Sequence, residues 1–389
     1  MKIALIFDGL GFGGIERVGV DYIRMLEQNG HQLTVYNLNP KACEMEKEIS
    51  ENVVIKHFSL ARKVCPEMYT AIIKRWTWGK YIYAPVYLLM NLYHAVRRIF
   101  CAERKQSYDI AIAFSGHFND LTFLEKKYVK SKKKVCWVHG CILDYALISS
   151  GYLHLYQEIG NLVTLSSFYE QGVFSYNRFL EGIHTEKIYN PTYIKQRKVD
   201  EKVVDELKQL YGDFILTVGR FTKEKDQKTV VRAVKILKEK YGIQKNLVFV
   251  GDGEKQAEVE ELTRELKMEQ QIFFVGSQYD VQNYYSAASV LVHSSPAEGL
   301  PTVLLEAMSF GVPIIATNSL PGVPEILEGE KHGLVCNVGD FEGIAHALYT
   351  IITDHDVREK YIQSGYKRIK DFQPEKIQRQ LEDYIERLV

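Results

Sequence analysis

Residues 290–317, VLVHSSPAEGLPTVLLEAMSFGVPIIAT, read as strand, loop, helix, strand. VLVHSS (290–295) and VPIIAT (312–317) are short apolar runs of the length of buried strands. The segment near 301–310 between them has the composition of a helix, and Pro301 can start it because the missing N–H is not needed there. A strand–helix–strand unit with such apolar strands implies a parallel sheet covered on both faces.

The same alternation extends upstream. FILTVGR (214–220), NLVFVGDG (246–253) and QIFFVG (271–276) read as strands, with helices at 226–240, 254–267 and 280–287. The N-terminal half begins its own series. Residues 2–7 are a buried strand, 8–14 (DGLGFGG) a glycine-rich turn, and Ile15 to Asn29 a helix closed by Gly30, followed by the strand His31–Tyr36. Further strands are expected at 53–58, 109–114, 134–138 and 161–165. Residues 190–212 shift to a turn at Asn190–Pro191 and then to mostly charged residues, which marks the connection between two domains. The expected division is 1–190, 191–370 and a final helix, 371–389, that returns to the first domain.

Composition excludes several classes. Of 389 residues, 46% are hydrophobic and 25% charged, as in a globular protein. Lys+Arg and Asp+Glu both total 49, which argues against a nucleic-acid binder. Residues 1–190 hold 23 basic and 18 acidic side chains, so the first half is basic and the second acidic. The six cysteines (43, 65, 101, 136, 141 and 336) form no metal-ligand spacing and read as reduced thiols of a cytoplasmic protein. No segment reaches the ~20 apolar residues of a membrane span; the closest, Tyr81–Tyr93, contains Pro85 and Asn91.

Three segments carry candidate chemistry. Glu298 and Glu306 are separated by seven residues, the first in a Pro/Gly loop at a strand's C-terminal end and the second about a turn into the next helix. The carboxyl edge of an open α/β sheet is where ligands bind. Free N–H groups of the loop and helix start, at Gly299 and Leu300, suit a phosphate, and the two carboxylates suit sugar hydroxyls. Arg220 follows a strand and Lys225 precedes a helix five residues later, a cationic pair able to clamp a diphosphate. The turn GLGFGGIER (9–17) lets Gly13 and Gly14 approach a ligand closely. Its glycines are out of step with G-x-G-x-x-G, and no acidic residue closes the second strand, which argues against a nicotinamide dinucleotide. His139 ends the strand KVCWVHG (134–140), where it would point into a cleft. Asp354-His355-Asp356 spells D-x-D but opens a late helix, where aspartates serve as caps; no metal is expected.

Together these segments resemble family 4 of the glycosyltransferases, which has the GT-B fold of two Rossmann-like domains facing across a cleft. Glu298-GLPTVLL-Glu306, VGR…K (Arg220, Lys225), GGIER (13–17), VGDGE (250–254) and the final helix occur in the family's order. The resemblance implies a retaining transfer of a hexose or N-acetylhexosamine from a nucleotide-sugar, a UDP-sugar by family frequency, without a metal. It implies that Arg220 and Lys225 bind the donor diphosphate, Glu306 the ribose and Glu298 the donor sugar. His139 would lie beside the transferred sugar, and Gly13 and Gly14 would approach the diphosphate or the acceptor. Similar members, with a PGVPEIL-like stretch (321–327 here), build bacterial surface glycans on a lipid diphosphate. The alternatives are another GT-B enzyme, such as a sugar-nucleotide epimerase or a phosphorylase, or a catalytically silent glycan-binding protein. The Glu-x7-Glu loop opposes the first two, and the intact charged residues oppose the last.

Residues 62–105 hold nine Lys/Arg against two Glu, crowded with Trp, Tyr and Phe. Lys126–Lys134 adds six lysines. Basic residues interleaved with aromatics suit an anionic bilayer surface, with Trp76, Trp78, Tyr81 and Tyr83 at headgroup depth and Lys74, Arg75, Lys80, Arg97 and Arg98 on the phosphates. The expectation is a peripheral protein on the inner face of the cell membrane acting on a lipid-linked saccharide or glycan. The competing reading is a helical pair packed on the domain with a solvated basic face.

Overall fold

A computed structural model describes residues 1–140, 142–167, 182–194 and 197–389, except for the side chains of Lys74, Leu143 and Asp144. The chain divides into two compact units, one of Met1–Pro191 with Ile377–Val389 and one of Thr192–Lys376.

The first unit is built on a seven-stranded sheet: β1 (Lys2–Phe7), β2 (Gln32–Asn37), β3 (Val54–His57), β4 (Ser107–Ala113), β5 (Lys130–Val138), β6 (Asn161–Thr164) and β7 (His184–Lys187). The order is β3-β2-β1-β4-β5-β6-β7 and every pairing is parallel. Ile3 to Phe7 are fully buried, as continuous apolar strands must be when helices cover both sheet faces. The order reverses between β1 and β4, and in open sheets of this kind ligands bind at the carboxyl ends beside that switch point. The helix Pro374–Leu388 packs on this unit. Leu381 and Ile385 are buried, Glu382 binds His31 at 2.9 Å, and Arg387 binds Glu186 at 2.8 Å.

The second unit carries a six-stranded parallel sheet of β8 (Ile215–Val218), β9 (Leu247–Val250), β10 (Ile272–Phe274), β11 (Val290–His293), β13 (Ile314–Thr317) and β15 (Leu334–Cys336). Its order, β10-β9-β8-β11-β13-β15, reverses between β8 and β11. A two-residue ladder stands apart, β12 (Ala297–Glu298) against β14 (Leu320–Pro321). The doubly wound sheets match the expected fold class. Strands β7 and β15 and the small ladder were not expected: β7 reads HTEK, without an apolar run, β15 has three residues and the ladder strands two.

The segment 62–105 forms short turns, a helix Ala71–Arg75 and a long helix Gly79–Ile99 with Pro85 inside it. That long helix is turned inside out. His94 is buried, bonded to the Tyr128 hydroxyl and the Val64 carbonyl at 2.8 Å each. Asn91 accepts from the Lys126 ammonium at 2.6 Å. On the other side Leu88, Leu89, Leu92 and Ile99 are exposed, with Leu88 at 69% and Phe100, just beyond the helix, at 84%. Two expected phosphate contacts are corrected. Arg97 donates to the Ser59 carbonyl and lies over the Phe58 ring, and Arg98 donates to the Lys126 carbonyl, so both are held on the domain. Trp76, Trp78 and Tyr81 are exposed, while Tyr83 is half-buried; the Lys74 side chain lies outside the described residues, as does Cys141. Among the described residues no helix is long and apolar enough to cross a membrane.

Candidate active site

The switch point of the second sheet gathers the residues singled out around 220 and 298. After β8 the chain makes the turn Gly219–Asp226 before the helix Gln227–Tyr241. Side chains stitch this turn in place. The Gln227 amide donates to the Arg220 carbonyl at 2.9 Å, and the Ser294 hydroxyl, just beyond β11, reaches the Lys225 and Asp226 carbonyls at 2.9 Å. The adjacent VGDG turn presses against it. A Cβ on Gly251, whose φ is +141°, would lie 2.1 Å from the Gly219 carbonyl oxygen, so only glycine permits this approach.

Glu298 sits on β12, not in an unconstrained loop. Its partner strand is the start of PGVPEIL: Ala297 pairs with Leu320 and Glu298 with Pro321. Gly322 backs the Gly299 carbonyl so closely that a Cβ would come within 2.5 Å of it. Below, the Thr317 hydroxyl donates to the Ser295 carbonyl at 2.6 Å, and Ser319 donates to the same oxygen. The 319–322 stretch therefore positions the 297–300 loop.

The Lys225 ammonium donates to the Glu298 carboxylate, and His293 Nε2 lies 3.2 Å from the same oxygen. His293 is buried, and the Glu298 side chain is only 13% exposed. Burial by itself would raise the Glu298 carboxyl, but the His293 contact and the Lys225 charge outweigh it and bring it down to about 2. Glu298 is thus an anion at every physiological pH, with the Lys225 ammonium beside it. Arg220 is exposed at the mouth of the turn.

Glu306, in the helix Thr302–Ser309, accepts from the buried Tyr285 hydroxyl at 2.7 Å. Pro301 is the residue before the first turn and brings no side-chain cap to the helix's first backbone N–H groups. Gly299 and the buried Leu300 lead into it.

In the first unit Gly13 is the residue before the helix Gly14–Gln28 and also lacks a side-chain cap. A Cβ on Gly14 would meet nothing, whereas one on Gly13 would meet the Glu16 carboxylate. His139, beyond β5, donates from Nε2 to the Phe114 carbonyl at 2.7 Å. Burial pushes its imidazole down to about 4, against the pull of that carbonyl, so it is neutral at pH 7 with Nδ1 as the acceptor.

Several residues at these strand ends had not been singled out. In the second unit they are His293 and Ser294. In the first they are Asp8, ending β1, and His117, following β4. His117 Nδ1 donates to Asp8 at 3.1 Å and Arg62 donates to the same oxygen at 2.9 Å. Asp120, fully buried, accepts from the Gly116 and His117 backbone N–H groups at 2.8 Å, and burial lifts its carboxyl to about 7. The available signal was position: each lies at or within a few residues of the C-terminal end of an apolar strand, as Arg220 does. Asp354 caps the helix His355–Arg368, accepting from the Val357 N–H at 3.0 Å. Among the described residues no group of His, Cys, Asp and Glu is arranged to hold a metal.

Two parallel doubly wound sheets are the sheets of the GT-B fold class. Residues 199–368 match the family model of the glycosyl transferases group 1, and the resemblance to family 4 glycosyltransferases holds over that unit. Similar proteins include a lipopolysaccharide core biosynthesis glycosyltransferase of Rhizobium meliloti, 30% identical over 40% of this chain and 44% of the relative. A second is an N-acetylgalactosaminyltransferase of Campylobacter jejuni that acts on a diphospho-undecaprenol-linked saccharide, 26% identical over 51% and 53%. The chain spans about half the length of the curated relatives it matches. In fold, Anabaena HepE in complex with UDP superposes with a TM-score of 0.74 over 99% of this chain and all of that one, at 17% identity.

Proposed function

We propose that the chain is a retaining glycosyltransferase that moves a hexose or N-acetylhexosamine from a nucleotide-sugar, a UDP-sugar in our reading, to a lipid-linked or glycan acceptor in bacterial surface polysaccharide biosynthesis. The observation that carries this reading is the Lys225–Glu298 pair at the β8/β11 switch point. Glu298, permanently ionised, accepts hydrogen bonds from donor-sugar hydroxyls. Lys225 and Arg220 take the charge that develops on the diphosphate as the glycosidic bond breaks. The uncapped N–H groups after Pro301 add to this electrostatic field. Glu306 holds the ribose, and neutral His139 lies beside the transferred sugar. The leaving phosphate accepts the acceptor's proton, so the chain supplies no dedicated base. With these cations the reaction needs no metal. The HepE complex with UDP supports the choice of base, and the Campylobacter relative supports a lipid-diphosphate acceptor.

The outward apolar face of the helix Gly79–Ile99 supports a peripheral site on the inner face of the cell membrane. Exposed Trp76, Trp78 and Tyr81 fit headgroup depth, and Arg75 and Lys80 meet anionic phosphates. A thermal-shift screen of nucleotide-sugars tests the donor reading. A ligand at ~100 times its Kd stabilises the fold by about 2.7 kcal/mol. No shift with any nucleotide-sugar would refute it.

A further inference from the structure

We propose that Arg368 is a positioning residue for the reaction proposed above, holding the Glu298 loop in register with the helix that carries Glu306. The inference rests on that reading, which gives Arg368 no part. Its side chain is only 7% exposed, at the C-terminal end of the helix His355–Arg368. Nε donates to the Ile326 carbonyl at 3.1 Å and Nη2 to the Glu325 carbonyl at 2.7 Å. Both carbonyls belong to the last turn of the helix Gly322–Leu327, where a helix has no internal donors for them. Their neighbours are served by the backbone: Pro324 accepts from the Glu328 N–H at 2.9 Å and Leu327 from the His332 N–H at 3.3 Å. The helix dipole also favours a cation at this end. Nη1 donates to Asp371 at 2.7 Å, and the guanidinium lies 4.9 Å from the centre of the Phe372 ring, so the fork is held from behind.

Each end of this clamp leads to one carboxylate of the site. The helix Gly322–Leu327 begins at the glycine that backs the Gly299 carbonyl, directly after Pro321, which pairs with Glu298. Val323, Ile326 and Leu327 are fully buried and set the depth of this helix, but apolar burial has no direction. The forked hydrogen bonds do, and they fix where the helix stands along its axis. A slide along that axis would pass through Gly322 to the Gly299 carbonyl and the Pro301 ring, against which a Cβ has no room. The helix His355–Arg368 packs in turn on the helix of Glu306: a Cβ on Gly365 would lie 3.3 Å from Met308 Cγ, two residues beyond that glutamate. Arg368 therefore joins the support of Glu298 to the support of Glu306 and acts on the first through the backbone of another helix.

Hydrogen–deuterium exchange of the full chain, without ligand, tests the support in Arg368→Met and Arg368→Lys. Lysine keeps the charge but not the fork, so both variants should exchange at least ~10-fold faster over 297–300 and 320–327, the scale of losing one hydrogen bond to a charged group. Exchange over β9 should not change. If Arg368→Met does not fold, Arg368→Lys alone decides. Equal acceleration throughout the second unit, or unchanged exchange at 297–300 in Arg368→Lys, would overturn the proposal. The consequence for the donor is read by titration calorimetry with UDP-glucose, whose Kd should rise at least ~10-fold in Arg368→Lys. Gly322→Ala disturbs the other end of the same helix, so the two losses should not add: the double variant should bind no worse than the weaker single one. Additive losses would show that Arg368 does not act through that helix. Absence of UDP-glucose binding by the unaltered protein would count against the donor reading, and the exchange measurement would still decide this inference.

Discussion

Lys225 and Glu298 are ion-paired across a separation of 73 residues, the lysine from the turn after β8 and the glutamate from the strand β12. Each is also held from outside its own loop. Ser294 fixes the lysine's backbone and the Leu320–Gly322 stretch fixes the glutamate's.

Arg220→Ala and Lys225→Ala are each expected to lower turnover at least ~100-fold, the usual cost of losing one donor to a developing oxyanion. The fold should survive Arg220→Ala because Arg220 is exposed, and Lys225→Ala leaves His293 3.2 Å from Glu298 as its remaining partner. Steady-state kinetics with circular dichroism of each variant checks this. Near-normal turnover in both would remove the phosphate clamp.

Gly322→Ala tests the support of the Glu298 loop. A Cβ there meets the Gly299 carbonyl and the Pro301 ring, both parts of the loop itself. The loop must shift, and the donor KM should rise ~10-fold or more, as sub-ångström misplacement does elsewhere. An unchanged donor KM would show that β14 does not position the site.

Activity should persist in excess EDTA. Lys225, Arg220 and the helix start supply the positive charge that a metal supplies elsewhere, and Asp354 of the D-x-D sequence is a helix cap. Loss of activity that Mg²⁺ or Mn²⁺ restores would contradict this.

Vesicle binding should depend on the apolar face as well as on charge. Anionic vesicles should bind the protein more tightly than neutral ones, each basic residue near the surface contributing ~1 kcal/mol. Leu88→Ser with Leu92→Ser should weaken binding without unfolding the protein, since both side chains are exposed. Changing Lys74, Arg75, Arg97 and Arg98 together to Glu should abolish it, though Arg97 and Arg98 also hold the helix down, so Arg75→Glu with Lys80→Glu is the cleaner variant. Co-sedimentation that is equal for both lipid types, or indifferent to all of these changes, would exclude membrane docking.

His94 makes stability pH-dependent. Burial pushes its imidazole down to about 4, below the unfolded value of 6.5. Between those values the unfolded chain binds more protons, so its contribution is complete above pH 6.5 and is lost as pH falls towards 4. His94→Gln should therefore reduce the loss of melting temperature between pH 7 and pH 5. Parallel curves for the two proteins would show that His94 is not the sensor.

The sequence by itself determined the class of the molecule. Apolar strands of four to seven residues alternating with amphipathic helices allow little but parallel sheets covered on both sides. Glu298, Glu306, Arg220, Lys225 and His139 were singled out because they stand near strand ends and helix starts, where local pattern is strongest. Tertiary structure alone decided which of them meet. The Lys225–Glu298 pair depends on β8 lying next to β11, an adjacency that no window of sequence contains. The Asp8–Arg62–His117 cluster depends in the same way on β1 lying next to β4. The role of Leu320–Gly322 came only with the pairing of two-residue strands, which carry no period to read. The helix Gly79–Ile99 shows the limit most clearly. Its basic and aromatic composition raised the expectation of a bilayer-facing segment, but which face points outward is settled by the bonds His94 and Arg97 make to the domain, because amphipathicity defines a direction only once a partner surface exists.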